Sequence, residues 1–280
     1  MAADLTMLQA ILLGVVQGLT EWIPVSSSGH LVLAQQVFGI EVPLFFDLAI
    51  HVATLVVVVL FYRRALLGIL RSFLRIVEDR KATPTWRALL LDDPDRRLGV
   101  LLVVATVPTA AIGLALRGPI EAAFGSVLAV GVALLVTGTF LWFSERREAR
   151  RGIGEFGFRD AVVIGTLQGV AIFPGVSRSG ATIGAALYRG IDRELAARFS
   201  FLLSIPAILG ATILQATPAA WVHARTYPLE YGVGMLAAGI VGYATLALLV
   251  FVIRRRGFRW FAPYCWAVGA AAVAWVFAVP

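Results

Sequence analysis

Residues 14–29 read GVVQGLTEWIPVSSSG, and residues 165–180 read GTLQGVAIFPGVSRSG. At this fixed offset of 151 residues, seven of the sixteen positions are identical, and three of the seven are glycines. The identical pairs are Gly14/Gly165, Gln17/Gln168, Gly18/Gly169, Val25/Val176, Ser26/Ser177, Ser28/Ser179 and Gly29/Gly180. Biased membrane-helix composition is the alternative explanation, but the shared Gln-Gly and Val-Ser-x-Ser-Gly order argues against it. We therefore predict two related halves, about 1–150 and 151–280, within one membrane domain.

The composition indicates a membrane protein. Of the 280 residues, 59% are hydrophobic and 15% are charged, and the mean hydropathy is +0.85, whereas soluble domains are about 45–50% apolar and about 25% charged. The net charge of +7 comes almost entirely from arginines between apolar runs, as in loops that face anionic lipid. We therefore expect a bilayer and no nucleic acid as the partner. Cys265 is the only cysteine, which excludes an intramolecular disulfide and a cysteine-based metal site.

Apolar segment length predicts an all-α polytopic membrane protein, because a helix needs about 20 mostly apolar residues to cross a bilayer. Two further segments, 8–38 and 160–189, are apolar at both ends and interrupted by Gly, Ser and Pro. Their arms are too short to cross comfortably, so we interpret both as re-entrant helical hairpins, a path allowed only where the backbone is buried in protein or lines a cavity. The six predicted transmembrane helices are 44–62, 98–116, 124–143, 199–217, 231–253 and 260–279.

The arginine distribution predicts the sidedness. If both interrupted segments are hairpins, the stretches 63–97, 144–159, 189–198 and 254–259 share one face and hold 21 of the 24 basic residues. The positive-inside rule makes that face cytoplasmic and places both termini outside. Three spans follow each hairpin, so the halves form an inverted-topology repeat whose hairpin tips should meet. The largest loop, 63–97, is expected to be a solvated amphipathic surface.

Each predicted tip suits an anionic group. A new helix begins near a serine, which is a good N-cap, and a helix N-terminus presents free N–H groups to phosphate. For Ser26 and Ser28 a purely structural capping role is an equal alternative. The residues expected to bind substrate are Ser26, Ser28, Gly29, Ser177, Ser179, Gly180 and Thr182.

The chemistry is expected where the two halves differ. Glu21, Ser27 and His30 have no equivalent in the second half, which places Arg178 opposite Ser27. Ionised side chains within a membrane are costly and are functional by default. Ser27 and His30 lie three apart, which allows a hydroxyl–imidazole contact that activates a nucleophile. A structural ion pair of Glu21 with Arg178, and a structural His30, are the alternatives.

Other polar residues receive weaker assignments. Gln17 and Gln168 occupy equivalent positions and are expected to form structural hydrogen bonds or to support the ligands. Asp47 and His51 lie four apart on the first full span and are expected either to support the site or to form a structural contact. His223 receives no role.

With these residues in view, the chain resembles the undecaprenyl-diphosphate phosphatase family of the bacitracin-resistance type. The resemblance rests on the stretches from Gln17 to His30 and from Pro174 to Thr182 and extends over the whole chain. It implies hydrolysis of a C55 isoprenoid diphosphate to the monophosphate at the outer face of the cell membrane, which recycles the carrier lipid of cell-wall synthesis. It also implies a divalent cation, Mg²⁺ or Ca²⁺.

The resemblance further implies roles for single residues. Glu21 would serve in acid–base or metal chemistry, Ser27 would be the nucleophile, His30 its partner and Arg178 a phosphate clamp. Position 17 is a glutamine where a second glutamate can stand in the family, so the metal assignments to Glu21 and Gln17 are weakened. Attack by water, with His30 or Glu21 as the base, is the alternative to attack by Ser27.

Two other functions compete with the phosphatase. Inverted repeats and broken helices also suit a transporter or flippase for a polyprenyl phosphate or an anion. The second is a structural scaffold, which would not explain the presence of the charged residues Glu21 and Arg178. The sequence leaves the oligomeric state open, and a homodimer is one assembly compatible with it.

Overall fold

A computed structural model describes residues 5–83, 85–144, 149–255 and 257–278, and the regular structure in these ranges is helical. The helices are α1 Met7–Thr20, α2 Ser27–Phe38, α3 Leu44–Phe61, α4 Arg63–Leu74, α5 Ile76–Ala82, α6 Trp86–Leu91, α7 Pro94–Ala115, α8 Arg117–Phe124, α9 Val127–Ser144, α10 Phe158–Val170, α11 Arg178–Tyr188, α12 Arg193–Gln215, α13 Pro218–Thr226, α14 Pro228–Arg254 and α15 Ala262–Ala278, with 3₁₀ turns at Ile153–Glu155 and Phe258–Phe261.

The prediction of an all-α polytopic membrane protein is confirmed. Six segments are long and apolar enough to cross a bilayer: α3, α7, α9, α12, α14 and the stretch Phe258–Ala278. Helices α7 and α12 begin four to six residues before the predicted spans. The reason is capping, since Asp93 accepts the Arg96 N–H at 2.8 Å and Asp192 accepts the Leu195 N–H at 3.1 Å. Both helices therefore start among polar residues that an apolar window leaves out.

The two interrupted segments form helix pairs, which we call the first hairpin (α1–α2) and the second hairpin (α10–α11). Their four helices have 14, 12, 13 and 11 residues. At about 1.5 Å per residue they measure about 16–21 Å, which is short of the roughly 30 Å apolar core of a bilayer. No single arm is long enough to cross, and the entry of the hairpins from opposite faces stays a prediction.

Each hairpin packs against a helix of the other half. Helix α1 lies on α14, and its counterpart α10 lies on α7. The approach is close enough to require glycine: a Cβ on Gly14 would lie 2.3 Å from the Gly234 carbonyl oxygen, and one on Gly165 would lie 2.0 Å from that of Ala105. The two predicted halves therefore interlock, and both their relation and their boundaries at about 150 and 151 stay predictions.

The predicted loop 63–97 is amphipathic but is not simply solvated. Its helices α4–α6 surround the guanidinium of Arg96, which is 2% exposed and donates to the carbonyl oxygens of Ser72 and Leu89. Burial of a cation requires such partners. This loop is thus a folded layer at one end of the helix bundle.

Candidate active site

The tips of the two hairpins touch, as predicted. The Ser26 hydroxyl accepts the Gly175 N–H at 3.1 Å and lies 3.3 Å from the Val176 carbonyl oxygen. Ser26 has a φ of +70° and Gly175 a φ of +93°, and a Cβ on Gly175 would lie 2.5 Å from the Val130 carbonyl oxygen. Only glycine fits that approach without strain. The loops therefore fix the starts of α2 and α11 against each other.

Glu21 lies at the centre of this junction. It follows α1 directly, and its side chain is 4% exposed. Its Oε2 accepts hydrogen bonds from the Ser27 hydroxyl at 2.5 Å and from the Gln17 amide at 2.8 Å. Its Oε1 accepts a hydrogen bond from Nη2 of Arg178. The structure thus brings together, from both halves of the chain, the carboxylate, the hydroxyl and the guanidinium that the sequence singled out.

Arg178 opens α11 and reaches back across the junction. Its side chain is 15% exposed, and its guanidinium carbon lies 5.4 Å from the centre of the Trp22 ring. Nη2 binds Glu21, whereas the buried Nη1 has no hydrogen-bond partner among the described residues. A buried donor without a partner is costly, and a guanidinium fork matches phosphate oxygens. Arg178 is therefore suited to hold an anion beside Glu21.

His30 does not contact Ser27 as the three-residue spacing suggested. Its Nδ1 lies 2.7 Å from the Ser26 carbonyl oxygen, and its Nε2 lies 2.8 Å from the Tyr264 hydroxyl. The Ser27 hydroxyl points to Glu21 instead, because an ionised carboxylate is the stronger acceptor. His30 thus ties the first turn of α2 to α15, outside the cavity described below.

A cavity of about 520 Å³ extends from this junction. Its polar lining includes Glu21, Ser27 and Arg178, and also Arg117 and Glu121. One of its walls is the α7 face from position 106 to 114, which measures about 12 Å at 1.5 Å per residue. Most of its other lining residues are apolar. The cavity therefore fits a molecule with an anionic head and an apolar tail.

The other predicted substrate-binding residues divide into two groups. Ser26, Ser28 and Ser177 line the cavity, whereas Gly29, Ser179, Gly180 and Thr182 do not. The residues of the second group contact other parts of the protein instead. Thr182 lies 2.5 Å from the Ser200 hydroxyl, and a Cβ on Gly29 would lie 2.9 Å from the Gly175 Cα. The small residues allow the tips to approach each other, and the caps are satisfied by their own helices: Ser26 accepts the Gly29 N–H and Ser177 the Gly180 N–H.

The two glutamines are structural partners, as expected from their equivalence. Gln17 reaches Thr54 on α3 at 3.4 Å, and Gln168 reaches the Leu203 carbonyl oxygen on α12 at 3.3 Å. Each glutamine therefore ties its hairpin to the first span of the same half.

His51 lies beside Glu21, where its spacing from Asp47 predicted either a supporting or a structural contact. Its side chain lines the cavity, and its Nε2 lies 3.4 Å from Oε2 of Glu21. Asp47 also lines the cavity, and its carboxylate accepts the Gln35 amide at 3.1 Å. The available signal was the pair of polar residues four apart within an apolar span. That spacing shows that the two side chains share one face of α3, but it does not show which residues pack against this face.

The residues present do not form a resident site for a divalent cation. Among the residues that the structure describes, no group of three His, Cys, Asp or Glu side chains could hold a metal ion. Both oxygens of Glu21 already accept hydrogen bonds, one of them from a guanidinium. Gln17 turns its nitrogen to Glu21 and so adds a donor there rather than a ligand. Mg²⁺ and Ca²⁺ prefer several oxygen ligands.

Comparisons with known proteins agree over nearly the whole chain. Residues 10–271 match the family described as bacitracin resistance protein BacA. The undecaprenyl-diphosphatase of Desulforapulum autotrophicum is 43% identical over 267 residues, which cover 95% of this chain and 96% of that protein. The undecaprenyl-diphosphatase of Desulfosudis oleivorans is 44% identical over 282 residues, 96% of this chain and 98% of that protein. The protein of the same name from Methanosphaera stadtmanae is 39% identical over 267 residues, 95% and 96% of the two chains.

Proposed function

Because this chain belongs to the bacitracin resistance protein BacA family, we propose that it hydrolyses undecaprenyl diphosphate to undecaprenyl phosphate and inorganic phosphate. This activity recycles the carrier lipid of cell-wall synthesis. The observation that carries the proposal is the convergence of Glu21, Ser27 and Arg178 on the wall of a largely apolar cavity. A lipid diphosphate matches both parts of that cavity.

The diphosphate is held by positive charge and N–H groups. Arg178 binds through Nη1, which has no partner among the described residues, and Nη2 turns from Glu21 toward the phosphate as it enters. The α11 N-terminus, from which Arg178 projects, adds its partial positive charge. In a pocket with little water such groups stabilise the charge that develops on the transferring phosphoryl group.

The hydroxyl of Ser27 is the nucleophile, and Glu21 is its base. Oγ already donates to Oε2 at 2.5 Å, which is hydrogen-bond reach for a general base. Oγ bonds to the terminal phosphorus, the bond from that phosphorus to the bridging oxygen breaks, and the hydroxyl proton passes to Glu21. The proton then moves to the departing undecaprenyl phosphate.

Water completes the cycle. Glu21, again a carboxylate, accepts a proton from the water that attacks the phosphorus on Ser27. The bond between Oγ and phosphorus breaks, Oγ regains a proton, and inorganic phosphate leaves. His30 supports this sequence from outside the cavity, where it holds the first turn of α2 in place through the Ser26 carbonyl oxygen and Tyr264.

A divalent cation is best accommodated as a companion of the substrate. Among the described residues, Glu21 is the carboxylate at the junction, and its oxygens are occupied by donors. The ligands that Mg²⁺ or Ca²⁺ needs would come from the diphosphate and water. Phosphate release measured with EDTA, with Mg²⁺ and with Ca²⁺ tests the requirement.

The transporter alternative is less well supported. The three relatives compared are named as diphosphatases, and a carrier needs no hydroxyl bound to a carboxylate. Placement of the cavity mouth at the outer face, with both termini outside, is part of the proposal and follows from the arginine distribution.

Purified protein in detergent micelles provides the test. A phosphatase releases inorganic phosphate from undecaprenyl diphosphate at a rate proportional to enzyme concentration, whereas a carrier has no membrane to work across. The Ser27→Ala and Arg178→Ala variants serve as matched negative controls. Absence of phosphate release from folded wild-type protein, with or without divalent cations, would refute the proposal.

A further inference from the structure

The imidazole nearest the Glu21 carboxylate belongs to His51 on α3. Its Nε2 lies 3.4 Å from Oε2, within ion-pair distance, and its side chain is 15% exposed and lines the cavity. His30, in contrast, has both ring nitrogens engaged with Ser26 and Tyr264. His51 is therefore the imidazole that can act on the carboxylate.

A contact at Nδ1, on the side of the ring opposite Nε2, fixes the orientation of His51. Its Nδ1 lies 2.7 Å from the Asp47 carbonyl oxygen, and because a carbonyl oxygen only accepts, Nδ1 carries a hydrogen. When both ring nitrogens carry a hydrogen, the contact of Nε2 with the Glu21 carboxylate is an ion pair. The turn of α3 that contains Asp47 thus aims Nε2 at Glu21.

The need for such a contact follows from the binding of substrate. In the structure Arg178 holds Oε1 of Glu21, while Gln17 and Ser27 contact Oε2. When Arg178 turns to the diphosphate, Oε1 loses that partner, and the contacts at Oε2 are left to oppose rotation of the carboxylate. His51 approaches Oε2 from a separate helix and limits this rotation.

We propose that His51 is a positioning residue, which holds Oε2 of Glu21 against the Ser27 hydroxyl while Arg178 engages the diphosphate. This inference rests on the proposed function. Since His51 acts through Glu21, its loss should lower kcat and leave KM nearly unchanged. The property that matters is a donor near the place of Nε2, so a side chain with an amide at that reach should substitute for the ring.

Three substitutions at position 51 distinguish a positioning role of His51 from its other possible roles in the reaction. His51→Gln places an amide N–H near Nε2, His51→Asn places one near Nδ1, and His51→Leu provides neither. We expect kcat to fall about 10- to 100-fold in the Leu and Asn variants, with KM within about twofold, because small misplacements of catalytic groups cost rates of this order. The Gln variant should stay within about threefold of wild type.

The measurements are phosphate release from undecaprenyl diphosphate and the melting temperature in detergent. His223→Leu is the control, since His223 lies outside the cavity beside Tyr231, and it should leave kcat unchanged. Equal losses of kcat in the Gln and Leu variants would indicate that His51 transfers protons and does not position Glu21. A folded Leu variant with wild-type kcat would show that His51 has no role in the reaction. An inactive wild-type protein would instead refute the phosphatase itself.

Discussion

At the scale of single residues, activity should depend on the pair formed by Glu21 and Arg178. Glu21→Gln removes the base, and Arg178→Ala removes the clamp, so we expect each to lower kcat/KM at least about 100-fold, the usual effect of losing general base or charge stabilisation. Steady-state phosphate release from undecaprenyl diphosphate measures both. Glu41→Gln and Arg225→Ala are matched controls, because both parent side chains are exposed. Wild-type rates in either site variant would contradict the mechanism.

Ser27 allows the covalent route to be separated from direct attack by water. If Oγ attacks the terminal phosphorus, acid quenching during turnover should trap a phosphoserine at position 27, which mass spectrometry of the digested protein detects. Ser27→Ala should lose the adduct and at least about 100-fold in rate. Ser144→Ala, at the end of α9 and outside the cavity, is the control. A Ser27→Ala variant that keeps its rate would show that Glu21 activates water directly.

The sequence identified Glu21, Ser27 and Arg178 because the duplicated frame differs there, and the structure brings these residues together. It assigned the imidazole to His30 because spacing along one helix was the only geometry available. The position of His51 depends on how α3 packs against the first hairpin, which a pattern of residue types does not encode.

At the scale of elements, glycines set how closely the hairpins approach their partner helices. Gly165→Leu should destabilise the protein, because its Cβ would lie 2.0 Å from the Ala105 carbonyl oxygen and backbone cannot move aside. Overpacking of this kind costs about 1–3 kcal/mol or more. Gly239→Ala on α14 is the control, since no atom lies within 4 Å of the added Cβ.

Thermal unfolding followed by size exclusion in detergent measures both variants. We expect Gly165→Leu to lower the melting temperature by several degrees or to prevent folding, and Gly239→Ala to leave it unchanged or slightly raised, because alanine is the better helix former by about 1 kcal/mol. Equal stability of the two variants would contradict the interlocked packing.

The predicted spans were correct in number and approximate position because apolar length is visible in a sequence. The predicted starts of α7 and α12 were too late, because capping residues determine where these helices begin. Asp93 and Asp192 begin helices in polar surroundings several residues before the apolar stretch. The folded layer of α4–α6 was also missed, since its burial of Arg96 depends on the carbonyl oxygens of Ser72 and Leu89, which composition does not show.

At the scale of the whole molecule, the re-entrant paths and the inverted orientation can be tested by chemical labelling. Cys265 is buried and is the only cysteine, so single cysteines can be introduced after Cys265→Ser. Thr6 and Glu41, which flank the first hairpin, are exposed, as are Gly154 and Glu194, which flank the second. A maleimide that cannot cross membranes should label Thr6→Cys and Glu41→Cys in intact cells, and Gly154→Cys and Glu194→Cys only after the membrane is opened.

This pattern follows only if each hairpin enters and leaves on one side and the two hairpins do so from opposite sides. Had either hairpin crossed the bilayer, the two cysteines that flank it would differ in labelling, and parallel halves would expose all four positions on one face. The predicted inverted arrangement bears on the function, because Glu21 and Ser27 come from the first hairpin and Arg178 from the second. Two helix starts that enter from opposite leaflets can direct their N–H groups at one phosphate, whereas two from the same leaflet would lie side by side.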